Sequence, residues 1–330
     1  MDLVDGGTAA PDTKGDRLGC LHPADANPIL AVGSVAFDTI KNPFGEVTRV
    51  VGGSATYFSV AASFFTQVRL VAVVGDDFGD RGRRLFEGRS VDLTGLQTLP
   101  GETFRWKGEY GFDLNVRESI YTKLNVFEQF QPVIPDAYRA SPFVFLGNIH
   151  PRLQLDVLDQ GAGARMVAAD TMNFWIEGTP DELREVLKRV DVLIINDSEA
   201  RELSGEANLV KAARVIRAMG PCTVVIKRGE NGVLMTCPGE VEFFAAPAMP
   251  LEEVFDPTGA GDTFAGGFVG YLAACGEITD AAMARAIIYG STLASFAVED
   301  FSLDRLLRLT NEEIAERFRL FRQLTYFDEG

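Results

Sequence analysis

Histidine and cysteine are scarce in this 330-residue chain, and each shortage removes a class of chemistry. Only His22 and His150 are present, so histidine relays and zinc schemes have little material. The four cysteines, Cys20, Cys222, Cys237 and Cys275, form no CxxC pair and no zinc-like spacing, which leaves reduced core thiols as the expectation. No apolar run approaches the ~20 residues of a membrane span, and the opening MDLVDGGTAAPDTKGDRLGC lacks the basic and apolar regions of a signal peptide. A cytoplasmic location is expected. Positive charge is also short: 31 Lys and Arg stand against 47 Asp and Glu, a formal net charge of −16. That balance disfavours nucleic acid and anionic membranes as partners, because both reward a basic face. A neutral small molecule would not be repelled.

Some motifs are missing as well. There is no GxxxxGK[ST] loop, and in GAGDTF a phenylalanine, Phe264, stands where a dinucleotide GxGxxG has its third glycine. P-loop and dehydrogenase readings therefore lose support.

What remains reads as one large α/β domain with a smaller appendage. The chain is 46% hydrophobic, enough for such a core. Residues 1–27, rich in Gly, Asp and Pro, read as a flexible tail, and 28–330 as the folded domain. Short apolar runs predict strands over Ile29–Val35, Arg69–Gly75, Phe143–Gly147, Met166–Asp170, Val192–Asn196 and Thr223–Lys227. Helical patterns separate them at Ser54–Phe65, Gly79–Arg89, Pro180–Arg189, Ser198–Leu203 and Leu209–Met219, and the stretch Leu303–Tyr326 is also helical. This alternation implies a central, mainly parallel sheet covered on both faces.

Two stretches break the pattern. Phe37–Val51 and Thr103–Gln131 carry β-branched and aromatic residues between turn signals and read as antiparallel strands. Polar residues recur where predicted strands end: Asp38, Asn148, Asp170, Asn196 and Lys227. Ligands of open α/β sheets bind beyond the carboxyl ends of strands, so these side chains are candidates for one crevice; each is also an ordinary turn starter.

The densest signal is DPTGAGDTFAGGF, residues 256–268. Gly259 and Gly261 allow a sharp turn whose amides approach a ligand, and the helix that follows presents its N-terminus to an anion such as a phosphate. Asp262 is placed to take a proton from an attacking hydroxyl, although a capped helix start accounts for an Asp there as well. Phe264, Phe268, Tyr271 and Leu272 form one apolar stripe, and Gly266, Gly267 and Gly270 imply close packing against a sheet.

This segment resembles the C-terminal signature of the ribokinase-like, or PfkB, family of carbohydrate and nucleoside kinases. Three more segments, in family order, extend the likeness across roughly residues 29–300. Gly52-Gly53 before SATYFSVAASFF resembles the di-glycine motif, Asn196-Asp197-Ser198-Glu199 the NxxE motif, and Lys227-Arg228-Gly229-Glu230-Asn231-Gly232 a KxGxxG nucleotide segment. The resemblance implies an αβα sandwich with a small β-sheet lid, formed here by about 37–51 and 103–131. It implies an ATP-dependent, Mg²⁺-requiring kinase acting on an alcohol of a sugar, polyol or nucleoside.

Site residues follow from the same likeness. Asp262 is the base, and the Gly259, Ala260 and Gly261 amides form the anion hole. Asp38, Gly52, Gly53, Tyr57 and Asn148 border the acceptor. Tyr57 replaces an Asn common in sugar kinases, and its ring either stacks on the ligand or packs in the core. Asn196, Glu199, Lys227, Gly229 and Gly232 border the nucleotide. Glu199 organises Mg²⁺ through water, while also suiting a capped first turn; Asn231-Gly232 is equally a hairpin signal. Asp256 resembles an acid that holds a monovalent cation such as K⁺ in several members. The exposed edges of a lid suggest a homodimer formed through it. A sensor of the same fold, binding nucleotide or sugar without catalysis, is the competing reading; an intact Asp262 argues against it.

Overall fold

The computed structural model describes residues 27–161, 163–239 and 242–326. The expected tail falls outside the described residues except for Asn27, whose side chain donates to the Ala273 carbonyl at 2.9 Å. In chain order the strands are β1 Ile29–Val32, β2 Ala36–Asn42, β3 Gly45–Gly52, β4 Val68–Gly75, β5 Val91–Leu99, β6 Phe104–Tyr110, β7 Arg117–Lys123, β8 Phe143–Leu146, β9 Met166–Ala169, β10 Val192–Asn196, β11 Thr223–Lys227, β12 Val233–Thr236 and β13 Phe243–Ala246. The helices are α1 Ser54–Ala62, α2 Gly79–Arg83, α3 Pro151–Gln160, α4 Asn173–Gly178, α5 Pro180–Leu187, α6 Asp197–Ser204, α7 Leu209–Arg217, α8 Ala260–Cys275, α9 Asp280–Ala297, α10 Asp304–Leu307 and α11 Asn311–Thr325.

Nine strands form the main sheet in the order β13-β12-β11-β10-β9-β8-β1-β4-β5. From β11 to β5 every pairing is parallel, and β12 and β13 add an antiparallel edge. The central strands are apolar on both faces because helices cover both. Along β1 the alternation is explicit: Ile29 and Ala31 join the core under α1, α8 and α9, while Leu30 and Val32 join the core under α3, α5 and α7. Ile29, Leu30 and Val32 each stabilise the fold by about 1.5–3 kcal/mol on burial.

The glycines of α8 pack differently from the expectation. They allow close approach of helices, not of a sheet. A Cβ on Gly266 would lie 2.5 Å from the Phe58 carbonyl oxygen in α1, and one on Gly267 would lie 2.9 Å from the Cα of Gly290 in α9. Two helices therefore lie against α8 with almost no space between backbones.

A second sheet runs β3-β2-β6-β7, with β2 parallel to β6 and the outer pairs antiparallel. It draws on the two segments that broke the sequence alternation. Its second segment ends at Lys123, short of the expected Gln131, because Val126 and Phe130 turn into the main core beside Val71 and Val73.

Candidate active site

The turn before α8 has the conformation its glycines imply. Gly259 caps the helix with φ 76°, a left-handed value that a residue with a Cβ adopts at a cost. Ala260 donates its amide to the Pro257 carbonyl at 3.2 Å. Of the three amides expected to form an anion hole, this one is therefore already engaged inside the turn. The amides of Gly261 and Asp262 remain at the helix N-terminus, where the orphan donors and the dipole favour a negative ligand.

Asp262 is in the first turn of α8, recessed but not sealed from solvent. Burial, then the charge of Asp170, pushes its carboxyl up to about 7, while Lys227 and Arg117 pull it down. A carboxylate poised near neutrality is suited to proton transfer.

Three neighbouring strand ends supply the cluster around it. β9 leads into Asp170, β10 ends at Asn196 and β11 ends at Lys227. The Lys227 ammonium lies 3.6 Å from Asp170 Oδ2. It also lies against the anion turn: a Cβ on Gly261 would be 2.9 Å from Lys227 Nζ. Burial alone would depress the lysine, but Asp170, Glu199 and Asp262 together hold its proton affinity above the ordinary value. Lys227 is therefore a fixed positive charge at the turn.

Asn196 and Glu199 form a full capping box at the start of α6. Asn196 Oδ1 accepts from the Glu199 amide at 2.8 Å, and Glu199 Oε2 accepts from the Asn196 amide at 2.8 Å. The capping reading of Glu199 is thus realised, and its Oε1 has no hydrogen-bond partner among the described residues. Glu199 is buried, and desolvation followed by the Asp170 charge raises it to about 7. Among the described residues no group of three His, Cys, Asp or Glu is arranged to hold a metal. A single available carboxylate oxygen fits an ion such as Mg²⁺, which keeps several waters and takes other ligands from phosphates. Beyond Lys227 the chain turns through Gly229 at φ 54° and Gly232 at φ 78° into β12, antiparallel to β11. The hairpin signal of Asn231-Gly232 is thus realised.

Asp38 is not at a strand end as the sequence suggested; it lies within β2 of the small sheet. Its carboxylate packs on the di-glycine: a Cβ on Gly52 would be 1.8 Å from Asp38 Oδ2, and the Gly53 backbone donates a hydrogen bond to it. Burial dominates and raises Asp38 to about 7. Gly53, the N-cap of α1 at φ 92°, would place a Cβ only 2.5 Å from the Ser34 carbonyl oxygen.

Tyr57 corrects the sequence reading. It is 1% exposed, so it offers no face to a ligand. Its ring instead lies directly beneath Gly259 and its hydroxyl is 3.4 Å from Ser302 Oγ. Asn148 is half-buried and occupied locally: its Oδ1 accepts from Trp175 Nε1 at 2.9 Å, and its amide nitrogen is 3.1 Å from Met172 Sδ. Both Asp256 oxygens accept backbone amides, Thr258 and Ser302, each at 2.9 Å, so this acid ties the turn to the loop after α9.

Asp170, a crevice candidate as a polar strand end, meets Lys227, 57 positions downstream in the chain. Other residues join the site that the sequence does not single out. Tyr110 of β6 places its hydroxyl 2.9 Å from Thr258 Oγ1. Trp106 pairs with Asp38 across β6 and β2, and Arg117 stands over its ring at 5.3 Å. The alternation within the 103–131 segment signals which of these residues share a face, but not what that face covers.

Residues 27–307 match the model of the pfkB family of carbohydrate kinases. The chain is 33% identical over 245 residues to a cytidine kinase of Thermococcus kodakarensis, covering 73% of this chain and 87% of that protein. It is 25% identical over 300 residues to an aminoimidazole riboside kinase of Salmonella typhimurium, covering 82% and 89% respectively. Its fold matches the crystal structure of a ribokinase from Thermotoga maritima with a TM-score of 0.70 at 22% identity, over 89% of this chain and 99% of that one.

Proposed function

The chain belongs to the pfkB family of carbohydrate kinases, a phosphotransferase with an alcohol acceptor, and on that premise we propose that it phosphorylates a nucleoside hydroxyl with ATP. The observation that carries the reading is Asp262, raised to about 7 and next in the chain to Gly261, against which the Lys227 ammonium lies. Asp262 accepts the proton of the acceptor hydroxyl. The Gly261 and Asp262 amides, with Lys227, stabilise charge developing on the transferred phosphoryl group. Glu199 and Asn196 would hold Mg²⁺ through its waters, and the ion would neutralise nucleotide phosphate charge. An intact base of this kind has no use in a protein that only senses ligand.

Three features support a nucleoside over a free sugar or polyol. The cytidine and aminoimidazole riboside kinases are both relatives over most of their length. Asp38, seated on Gly52, offers a carboxylate to ribose hydroxyls. Trp106, beside Asp38 and half-buried, supplies a flat ring on the acceptor side, the role that Tyr57 does not fill. Four carboxylates, Asp38, Asp170, Glu199 and Asp262, would repel an acceptor that already carries phosphate.

We further propose that the small sheet acts as a lid, and that a second copy covers its outer strand β7, whose residues are all exposed. ADP release is to be measured with cytidine, uridine, adenosine, ribose, fructose and myo-inositol. Turnover with a nucleoside is expected; turnover only with free sugars or inositol overturns the acceptor assignment, and release with none overturns catalysis. Repeating the assay in potassium and lithium salts tests a K⁺ site at Asp256, and equal rates would argue against it. Sedimentation of wild type tests the dimer.

A further inference from the structure

The small sheet carries a positive charge, Arg117, on its outer strand β7. In the antiparallel pair of β6 and β7, Tyr110 is directly opposite Arg117. Opposed residues of such a pair project from the same face. That face is identified by Tyr110, whose hydroxyl is 2.9 Å from Thr258 Oγ1, in the turn leading to Gly259. Arg117 therefore leaves β7 on the side of the anion turn.

Its head is positioned by an aromatic ring. The guanidinium carbon lies 5.3 Å from the centroid of Trp106. The indole is itself held: Nε1 donates to Ser119 Oγ at 3.2 Å, and the ring lies across Gly108, where a Cβ would be 2.0 Å away. Four other cations of the sheet are committed elsewhere. Arg49 and Arg105 pair with Asp77, Lys41 with Glu109 and Lys107 with Glu46. Arg117 makes no ion pair among the described residues. Its field nevertheless reaches Asp38, Glu199 and Asp262, lowering the proton affinity of each. Those acids mark the acceptor, the nucleotide edge and the base, so the guanidinium stands within range of all three. At the loop between β6 and β7, Asn115 Oδ1 would be 2.9 Å from a Cβ on Gly229, so the same hairpin also touches the nucleotide-side turn.

We propose that Arg117 is a catalytic residue that donates hydrogen bonds to the phosphoryl group in flight. The proposal rests on the phosphotransfer reading. In the step, the acceptor oxygen bonds to the γ-phosphorus as the bond from that phosphorus to the bridging oxygen breaks. The electron pair of that bond leaves with ADP. The hydroxyl proton goes to Asp262, and Arg117 keeps its own protons throughout. A planar fork of donors suits the equatorial oxygens, which carry the charge in transit, and Lys227 is already shared with Asp170.

Arg117→Met and Arg117→Lys separate the possibilities. In Arg117→Met, kcat is expected to fall about 10²–10³-fold, as for loss of one oxyanion donor, with KM for the acceptor changed less than about threefold. Calorimetric titration supplies a readout independent of turnover. Wild type should bind ADP more tightly with fluoroaluminate and acceptor present than with ADP alone, and Arg117→Met should lose about tenfold or more of that gain while binding ADP as wild type does. Arg117→Lys should recover only part, because it keeps the charge without the fork.

Unchanged kcat and unchanged fluoroaluminate affinity would overturn the proposal, as would a loss confined to acceptor KM, which would make Arg117 an acceptor-binding residue. Circular dichroism checks the fold; if the Met variant is unfolded, the same comparisons are made between wild type and Arg117→Lys. Wild type that turns over beside an unaffected variant removes only this proposal. Wild type inert toward every acceptor removes the phosphotransfer reading and this inference with it.

Discussion

Gly259→Ala perturbs the anion turn through two separable costs. The position holds φ 76°, where an alanine costs roughly 1–2 kcal/mol relative to glycine. The new Cβ would also lie 2.4 Å from Cδ1 and Cε1 of Tyr57 and 2.5 Å from its Cγ. That ring has no ready escape: it is 1% exposed and stands between the turn and Ser302. Overpacking of this kind costs typically about 1–3 kcal/mol. The sum is about 2–5 kcal/mol, which appears as lost stability unless the turn shifts to relieve it. A shifted turn misplaces the amides of Gly261 and Asp262, and ~1 Å at a reacting centre costs about 10² in rate. Urea unfolding followed by tryptophan fluorescence, together with ADP release, measures both effects. Tyr57→Leu combined with Gly259→Ala isolates the steric part. The double variant should recover about 1–3 kcal/mol relative to the sum of the singles, leaving the left-handed cost in place. Strict additivity, or a single variant as stable and active as wild type, would refute the packing argument.

Asp262 predicts opposite pH trends for activity and stability. As a base it must be deprotonated, so kcat/KM should fall as pH drops below about 7, and Asp262→Asn should remove that limb with a loss of about 10²–10⁴ in kcat. For stability the sign reverses: with its folded pKa raised from 3.8 to about 7, the folded state binds more protons between those values, so stability declines as pH rises through that window. Asp262→Asn should therefore raise the unfolding midpoint at pH 8 more than at pH 5, and a midpoint lowered at pH 8 would contradict the burial argument. Asp170→Asn leaves the buried Lys227 ammonium without its nearest partner and should lower stability by up to about 3–5 kcal/mol. It should also move the acid limb of kcat/KM to lower pH, since Asp170 raises Asp262; an unmoved limb would show that the two are not coupled.

Much of the fold was legible because its signals are local. Continuous apolar runs marked six of the parallel strands, two with the observed bounds and four with one end displaced by one to three residues. The strand Val91–Leu99 was not anticipated. Its sequence VDLTGLQTL is half-exposed at the sheet edge and lacks the apolar continuity of a buried strand. Asn196 and Glu199 were read correctly as a cap because a capping box involves residues three apart. The α8 glycines are recognisable as a packing signal, yet their partners are helices, α9 next in the chain and α1 near its other end.

The sequence by itself determined a parallel α/β fold with an added small sheet, and the order of motifs that implies phosphoryl transfer to an alcohol. These follow from apolar periodicity and from glycines in turns, which each segment carries within itself. The tertiary structure decided which charges meet. It set Asp170 against Lys227, moved Tyr57 from ligand to buttress, and brought Arg117 of β7 over Trp106 on the side of the anion turn. Burial and charge at Asp262 depend on those long-range neighbours, and no local pattern in the chain encodes them.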